Sequence, residues 1–110
     1  MPRLPLCLLL LLAAGCATTG TFVAGPWYLT ETLELRGDGS FRYELWSDDG
    51  GTVCVAEGTW RRVPHQGGRK EVVTTVASEA AMCEGLPEVE RWWFERGRLR
   101  REGRGPYRRE

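Results

Sequence analysis

The fold of this 110-residue chain is decided by one stretch, Leu33-Glu34-Leu35-Arg36-Gly37-Asp38-Gly39-Ser40-Phe41-Arg42-Tyr43. On both sides of its central Gly-Asp-Gly, apolar residues alternate with polar ones, which is the period of two that half-buried β-strands show. Asp-Gly between two alternating runs is a strong hairpin signal, because the turn needs a positive φ that Gly adopts without steric cost. The stretch therefore predicts two antiparallel strands, at residues 28–36 and 40–47.

Short β-rich segments continue in both directions from this hairpin. Further strands are predicted at residues 21–23, 52–63, 69–78, 88–95, 98–102 and 107–109. The alternation within 52–63 breaks near Gly58, which predicts a bulge or bend there. Only residues 80–82 favour a helical turn. Seven or eight short strands in local order predict an all-β fold, a small antiparallel meander or barrel, and closure into a barrel would remove the exposed edges.

Aromatic residues supply both the candidate core and the candidate contact site. Of the five tryptophans, at least three are expected to be simply buried, because core packing is the usual fate of large aromatic side chains. In the strand at 40–47, Trp46 shares a face with Arg42, whereas Phe41 and Tyr43 take the other face. Trp46 and Arg42 are therefore the candidate contacts for a ligand or partner.

The N-terminus has the layout of a secretory signal. Arg3 is followed by an apolar run at residues 4–14, which is about half the roughly 20 residues that a membrane-spanning helix needs. Leu12-Ala13-Ala14-Gly15-Cys16 resembles the lipobox of bacterial lipoproteins, although Ala13 stands where Leu is more usual. The resemblance implies cleavage before Cys16 and a diacylglyceryl group on its thiol. An ordinary secretory signal is the alternative.

The lipobox divides the chain into three parts and implies a location. Residues 1–15 are the expected signal peptide, 16–20 the lipidated Cys and its tether, and 21–110 a small β-barrel domain. A lipid on Cys16 implies a protein anchored to the bacterial cell envelope. The following residue is Ala17 rather than the Asp that signals retention at the inner membrane in many bacteria, which favours the outer membrane, facing the periplasm.

Two cysteines remain after Cys7 leaves with the signal and Cys16 carries lipid. In an oxidising compartment we expect Cys54 and Cys83 to form a disulfide, worth roughly 3 to 4 kcal/mol on the chain-entropy model. Two free buried thiols and a metal pair are the alternatives. A metal site needs more ligands, and His65 is the only histidine.

Signatures of catalysis and of cofactor binding are missing from the sequence. Asp48-Asp49-Gly50-Gly51 lacks the alternating oxygen ligands and closing Glu of an EF-hand calcium loop, and is interpreted as a plain turn. One histidine cannot assemble a Ser-His-Asp set, and neither a paired-carboxylate motif nor a phosphate loop is present. We therefore expect a protein that is not an enzyme, with no cofactor and no metal.

Charge is unevenly distributed, although the chain has 15 basic and 15 acidic residues in all. Residues 16–90 hold 6 basic and 12 acidic residues, whereas residues 91–110 hold 8 and 3. The basic segment could contact anionic lipid headgroups or polymers linked to peptidoglycan. Alternatively, its strands lie against acidic neighbours, as cross-strand pairs do. Binding to nucleic acid is not expected, because neither the compartment nor the net charge fits.

A family resemblance rests on the opening stretch together with Glu57-Gly58-Thr59-Trp60. These motifs resemble those of small lipocalin-like bacterial lipoproteins, including the copper-homeostasis and envelope-stress group. The resemblance implies a binding or structural domain whose partner is a small apolar ligand or an envelope protein. The chain lacks the Cys-x-x-Cys of the envelope-stress group, so copper sensing is not implied. The alternative is an inhibitor of a periplasmic or host hydrolase such as lysozyme, although the Ser-Gly-x-x-Tyr loop of such inhibitors is absent.

Overall fold

The computed structural model describes residues 18–64, 69–77, 83 and 85–110. It contains eight strands: β1 (Gly20–Ala24), β2 (Leu29–Leu35), β3 (Ser40–Ser47), β4 (Gly51–Val63), β5 (Glu71–Val76), β6 (Val89–Glu95), β7 (Arg98–Arg101) and β8 (Arg104–Arg109). Each strand pairs antiparallel with the next, and β8 pairs with β1, so that the sheet closes into a barrel. The prediction of an all-β antiparallel barrel is confirmed.

The hairpin that joins β2 and β3 has the predicted geometry. Leu35 lies opposite Phe41 across the pair, and the Arg36 amide donates to the Ser40 carbonyl over 3.0 Å. Gly39 adopts the positive φ of 92° that the turn requires. The Ser40 amide and hydroxyl both donate to Asp38 Oδ1, at 2.9 and 2.7 Å, so the turn residues satisfy their own polar groups.

Side chains from all eight strands fill the barrel interior. The largest fully buried ones are Trp92, Tyr43, Tyr107, Phe22 and Phe41. The Trp92 and Tyr107 rings meet edge to face at 5.3 Å, and Trp92 Nε1 donates to the Thr74 hydroxyl over 2.9 Å. The only hydrogen-bond donor of the buried indole is therefore satisfied, as is usual for buried polar groups.

Two predictions are wrong: the burial of at least three tryptophans, and the residue at which the last strand begins. Only Trp92 is fully buried; Trp60 and Trp93 are half-buried, and Trp27 and Trp46 are exposed. A closed barrel explains the difference, because every strand has an outer face and the narrow interior is already filled by aromatic rings. The last strand begins at Arg104 rather than at residue 107, since the preceding turn uses only two residues.

The bulge predicted at Gly58 lies elsewhere. Both neighbouring strands run past Gly58 without a shift in register, and β3 and β4 shift instead between Leu45 and Trp46. Gly58 is required for a different reason: a Cβ at this position would overlap the backbone oxygen of Thr75 and lie 2.9 Å from the ring of Phe41. The residue permits close approach of two strands rather than a bend.

The predicted disulfide between Cys54 and Cys83 is confirmed. It ties β4 to the connection between β5 and β6, with the two Cα atoms 5.7 Å apart. The predictions for Cys16, His65 and the helical turn at 80–82 lie outside the described residues. Within the described ranges, no helix has both the length and the apolar character needed to span a membrane.

Candidate functional site

The two ends of the barrel differ in chemistry. Because neighbouring strands are antiparallel, the connections at 25–28, 48–50, 77–88 and 102–103 all lie at one end, which we call the rim. The connections at 36–39, 64–70 and 96–97, together with the start of β1, lie at the opposite end, which we call the basic end.

Charge divides between the ends in the same way. The described residues of the rim connections include four acidic residues and no basic one: Asp48, Asp49, Glu88 and Glu102. The described residues of the basic-end connections include four basic residues and one acidic residue: Arg36, Arg69, Lys70, Arg96 and Asp38. The barrel is thus polarised along its axis.

Exposed apolar side chains gather at the rim. The large hydrophobic residues that are exposed in the described part of the chain all lie in the rim connections or within three residues of a strand's rim-side end: Trp27, Tyr28, Leu29, Trp46, Val53 and Val89. Trp27 is 75% exposed, and its ring meets that of Tyr28 edge to face at 5.7 Å. Exposed apolar patches rimmed by polar residues are typical of interaction sites.

A groove of about 560 Å³ opens at the rim beside Leu29. It is lined by Leu29, Glu31, Leu45, Gly85 and Arg104. Leu29 and Leu45 bring apolar surface from β2 and β3, whereas Glu31 and Arg104 bring opposite charges from β2 and β8. The groove is open to solvent rather than enclosed.

Glu31 is the centre of a hydrogen-bond network beneath the groove. Its Oε1 accepts hydrogen bonds from the hydroxyls of Tyr43 at 2.8 Å and Tyr107 at 2.6 Å, and from Arg101 Nη2 at 2.9 Å. Its Oε2 accepts a longer bond, of 3.4 Å, from Arg104. The carboxylate therefore joins β2, β3, β7 and β8 at the upper layer of the interior.

Arg101 is the buried cation of this network, with only 1% of its side chain exposed. Alternation along β7 places it inside the barrel, two residues after the buried Leu99. It donates to Glu90 Oε2 at 3.0 Å and to the Gly85 carbonyl at 2.7 Å, and its guanidinium lies 5.0 Å from the centre of the Trp92 ring. Arg101 thereby holds the β5–β6 connection against the barrel.

The network holds its ionisable groups in fixed protonation states. Burial by itself would raise the pKa of Glu31, but the Tyr107 and Tyr43 hydroxyls, followed by the charges of Arg101 and Arg104, outweigh it and hold that pKa below its ordinary value. Burial, and then hydrogen bonding to Glu31, raises the pKa of both tyrosines. Glu31 is thus an anion at neutral pH and both phenols stay protonated, an arrangement suited to structure and binding rather than to proton transfer.

The two residues selected from the sequence lie on the same outer face of β3 but in different surroundings. Trp46 is 38% exposed and belongs to the rim. Arg42 lies further from the rim and makes an ion pair with Glu44 at 2.8 Å and a longer one with Glu57 at 3.9 Å. The structure therefore groups Trp46 with Trp27 and Tyr28, and Arg42 with neighbouring carboxylates.

Sequence reasoning missed Glu31, Arg101 and Arg104. Arg101 carried a signal, because a charged residue at an inward position of a strand needs a buried partner. The interpretation that the basic segment lies against acidic neighbours holds for Arg101 and Arg104, which both pair with Glu31. Among the described residues, no group of three His, Cys, Asp or Glu side chains is placed to hold a metal ion.

Comparison with known proteins gives no relative for this barrel. No protein-family model matches the chain, and no curated protein and no solved structure matches it either.

Proposed function

We propose that this chain is a lipid-anchored binding protein of the bacterial cell envelope, and that the rim is its binding surface. The observation that carries the proposal is the concentration of exposed apolar side chains at one end of the barrel. Such residues, set among acidic ones, fit a protein partner whose surface combines apolar anchors with basic side chains. The barrel has no catalytic role in this proposal.

The filled interior favours a partner at the rim over a small apolar ligand inside the barrel. Trp92, Tyr43 and Tyr107 occupy the centre, and the Glu31–Arg101 network lies between them and the groove. A molecule entering from the rim would meet buried, fully engaged charges, whose partners it would have to replace. The groove can instead receive a side chain of a protein bound across the rim.

The lipobox resemblance and the position of β1 support a rim that faces away from the membrane. Gly20, where β1 begins, lies at the end opposite the rim. Thr18 is already buried, and the two residue-to-residue steps from Cys16 through Ala17 span at most about 7 Å. A lipid on Cys16 would therefore hold the basic end towards the bilayer and the rim towards a partner in the periplasm.

The test combines the anchor and the surface. Labelling with a clickable fatty acid should mark the wild-type chain but not Cys16→Ser, and equal labelling of both would remove the anchor. For the surface, the wild type and an Arg96→Ala control should retain the same envelope protein from an extract, and Trp27→Ala should lose it. With the purified partner, we expect Kd to rise about 30-fold in Trp27→Ala, the effect of a hot-spot aromatic.

An acidic rim also suits a basic hydrolase, which makes an inhibitor the second candidate function. Excess purified protein should then abolish lysozyme activity, and Trp27→Ala should restore it. Binding of an envelope protein without any effect on hydrolase activity would leave the first candidate, whereas a partner bound equally by wild type and Trp27→Ala would contradict the assignment of the rim.

A further inference from the structure

We infer that the basic end of the barrel rests on the anionic headgroups of the membrane that holds the lipid. This interaction surface deepens the proposed function, because it depends on a lipid at Cys16. It fixes the orientation of the barrel, which a flexible tether alone would leave free.

The first observation is a pair of arginines that oppose each other. Arg98 and Arg108 are directly opposite in the β7–β8 register, and both are exposed. Like charges at such positions repel and destabilise the sheet. Neither of them forms an ion pair with a described residue; Glu95 lies opposite Arg98 in the β6–β7 register, but its carboxylate contacts Arg100 at 2.9 Å. An anionic surface would convert this repulsion into attraction.

Neighbouring charges extend the same surface. Lys70, Arg96 and Arg61 are exposed at or near the basic end and make no ion pair with the described residues. Two other arginines there are engaged, since Arg36 and Arg69 contact carboxylates of Glu34 and Glu71, at 3.0 and 2.9 Å respectively.

The acidic residues of this end leave the basic surface uncovered. Asp38 Oδ1 accepts both hydrogen bonds of Ser40, and Glu95 Oε1 lies 2.9 Å from Arg100 Nε on the outer face. Glu110 is exposed at the end of β8 and is the acidic residue nearest in sequence to Arg108. Because the first two carboxylates are occupied elsewhere, the surface remains suited to anionic lipid.

The short tether to Cys16 also supports anionic lipid as the binding partner of the basic end. The tether between Cys16 and the buried Thr18 spans at most about 7 Å, which is close to the Debye length of about 8 Å at physiological ionic strength. The tether therefore keeps the basic end near the headgroups of the anchoring membrane, where their attraction is only partly screened. A short tether also makes docking intramolecular, so that a weak attraction per charge is sufficient.

Lys70 allows the docked state to be measured, because it is the only lysine in the chain and is exposed at this end. The lipidated mature chain is reconstituted on vesicles of phosphatidylcholine alone, and on vesicles in which a part of the lipid is phosphatidylglycerol. A membrane-impermeant acylating reagent then modifies the Lys70 amine, and peptide mass spectrometry follows the rate. We expect acylation to be slower on the anionic vesicles, and the ratio of the two rates gives the docking constant.

Each basic residue near an anionic surface contributes about a fivefold factor. The double variant Arg98→Gln/Arg108→Gln should therefore lower the docking constant about 25-fold, and about 1 M salt, which shortens the Debye length to about 3 Å, should abolish it. The matched control is Arg42→Gln, which removes a positive charge that is already paired with Glu44 and Glu57 on the outer wall. It should keep Lys70 protected to within about twofold.

Equal acylation rates on the two kinds of vesicle would overturn the inference, and so would a protection that the double variant retains. These outcomes differ from a failure of the proposed function. A chain that does not float with either kind of vesicle has no lipid anchor, whereas a chain that floats with both and shows the same Lys70 rate is anchored without docking.

Discussion

Replacing Arg101 by Met should destabilise the barrel by about 3 kcal/mol at neutral pH. Removing one partner of a buried ion pair typically costs about 3 to 5 kcal/mol, because the other charge is left without compensation. Arg101 holds two carboxylates, and the side chains of Glu31 and Glu90 are only 12% and 17% exposed. We expect the lower end of the range, since Glu31 keeps its bonds from Tyr107 and Tyr43.

The same variant should change the response of stability to acid. In the wild type the pKa of Glu31 lies below its ordinary value of 4.5, so its contribution to stability is present above that pH and is lost as the pH falls through the lower folded value. Without Arg101, Glu31 is still buried but has lost a favourable charge, so its pKa rises. Once Glu31 is protonated in the variant, the buried charge is gone and the variant regains part of its unfolding free energy. The difference in unfolding free energy between wild type and variant should therefore shrink below about pH 4.5.

Urea unfolding followed by tryptophan fluorescence, at several pH values, measures both effects. The midpoint should fall in Arg101→Met while the m-value stays unchanged, which identifies a loss of stability rather than a change in the unfolded state. Arg42→Met, at a half-exposed ion pair with Glu44 on the outer face, should lose less than about 1 kcal/mol. Adding Glu31→Gln to Arg101→Met should destabilise less than the sum of the two single changes. A variant as stable as wild type at neutral pH, or a difference that grows in acid, would refute the role of the network.

Two further predictions concern the covalent and steric constraints on β4. Cys54→Ala/Cys83→Ala should lose roughly 3 to 4 kcal/mol of unfolding free energy, because the disulfide closes a loop with a sequence separation of 29. The reduced wild type should have the same urea midpoint as this variant. An unchanged midpoint after reduction would mean that the bond does not constrain the unfolded chain. Gly58→Ala should lose about 1 to 3 kcal/mol through overlap with the Thr75 backbone, whereas Gly37→Ala, which meets nothing within 4 Å, should stay within about 0.5 kcal/mol of wild type. Similar thermal midpoints for these two alanine variants would contradict the steric argument.

The parts of the fold that could be predicted from the sequence, the strands and the turn between β2 and β3, follow from the pattern of neighbouring residues. The period of two and the Asp38-Gly39 turn are properties of neighbouring residues, and β3 begins and ends at the predicted positions, Ser40 and Ser47. The fate of the tryptophans was not accessible in this way. Which face of a strand points inward depends on closure of the barrel, and how many rings fit depends on an interior volume that no single strand reveals.

The candidate site could not be predicted from the local sequence pattern for a related reason. Arg101 and Glu31 are 70 residues apart in sequence and become neighbours only when β7 and β2 face each other across the closed interior. The rim is likewise assembled from four separate connections. Trp46 could be singled out because its strand shows a clear alternation, whereas Trp27 lies in a connection, where no periodicity indicates exposure.

The pairing of β1 with β8 has a consequence for how the chain is made. Phe22 lies opposite Arg109, so β1 has to wait until β8 has been synthesised before its second edge is paired. Contacts between such distant segments form slowly, and an unpaired edge invites association with other chains in the meantime. A nascent chain interrupted before residue 104 would keep two open edges, so quality control during biogenesis bears most heavily on the final six-residue strand.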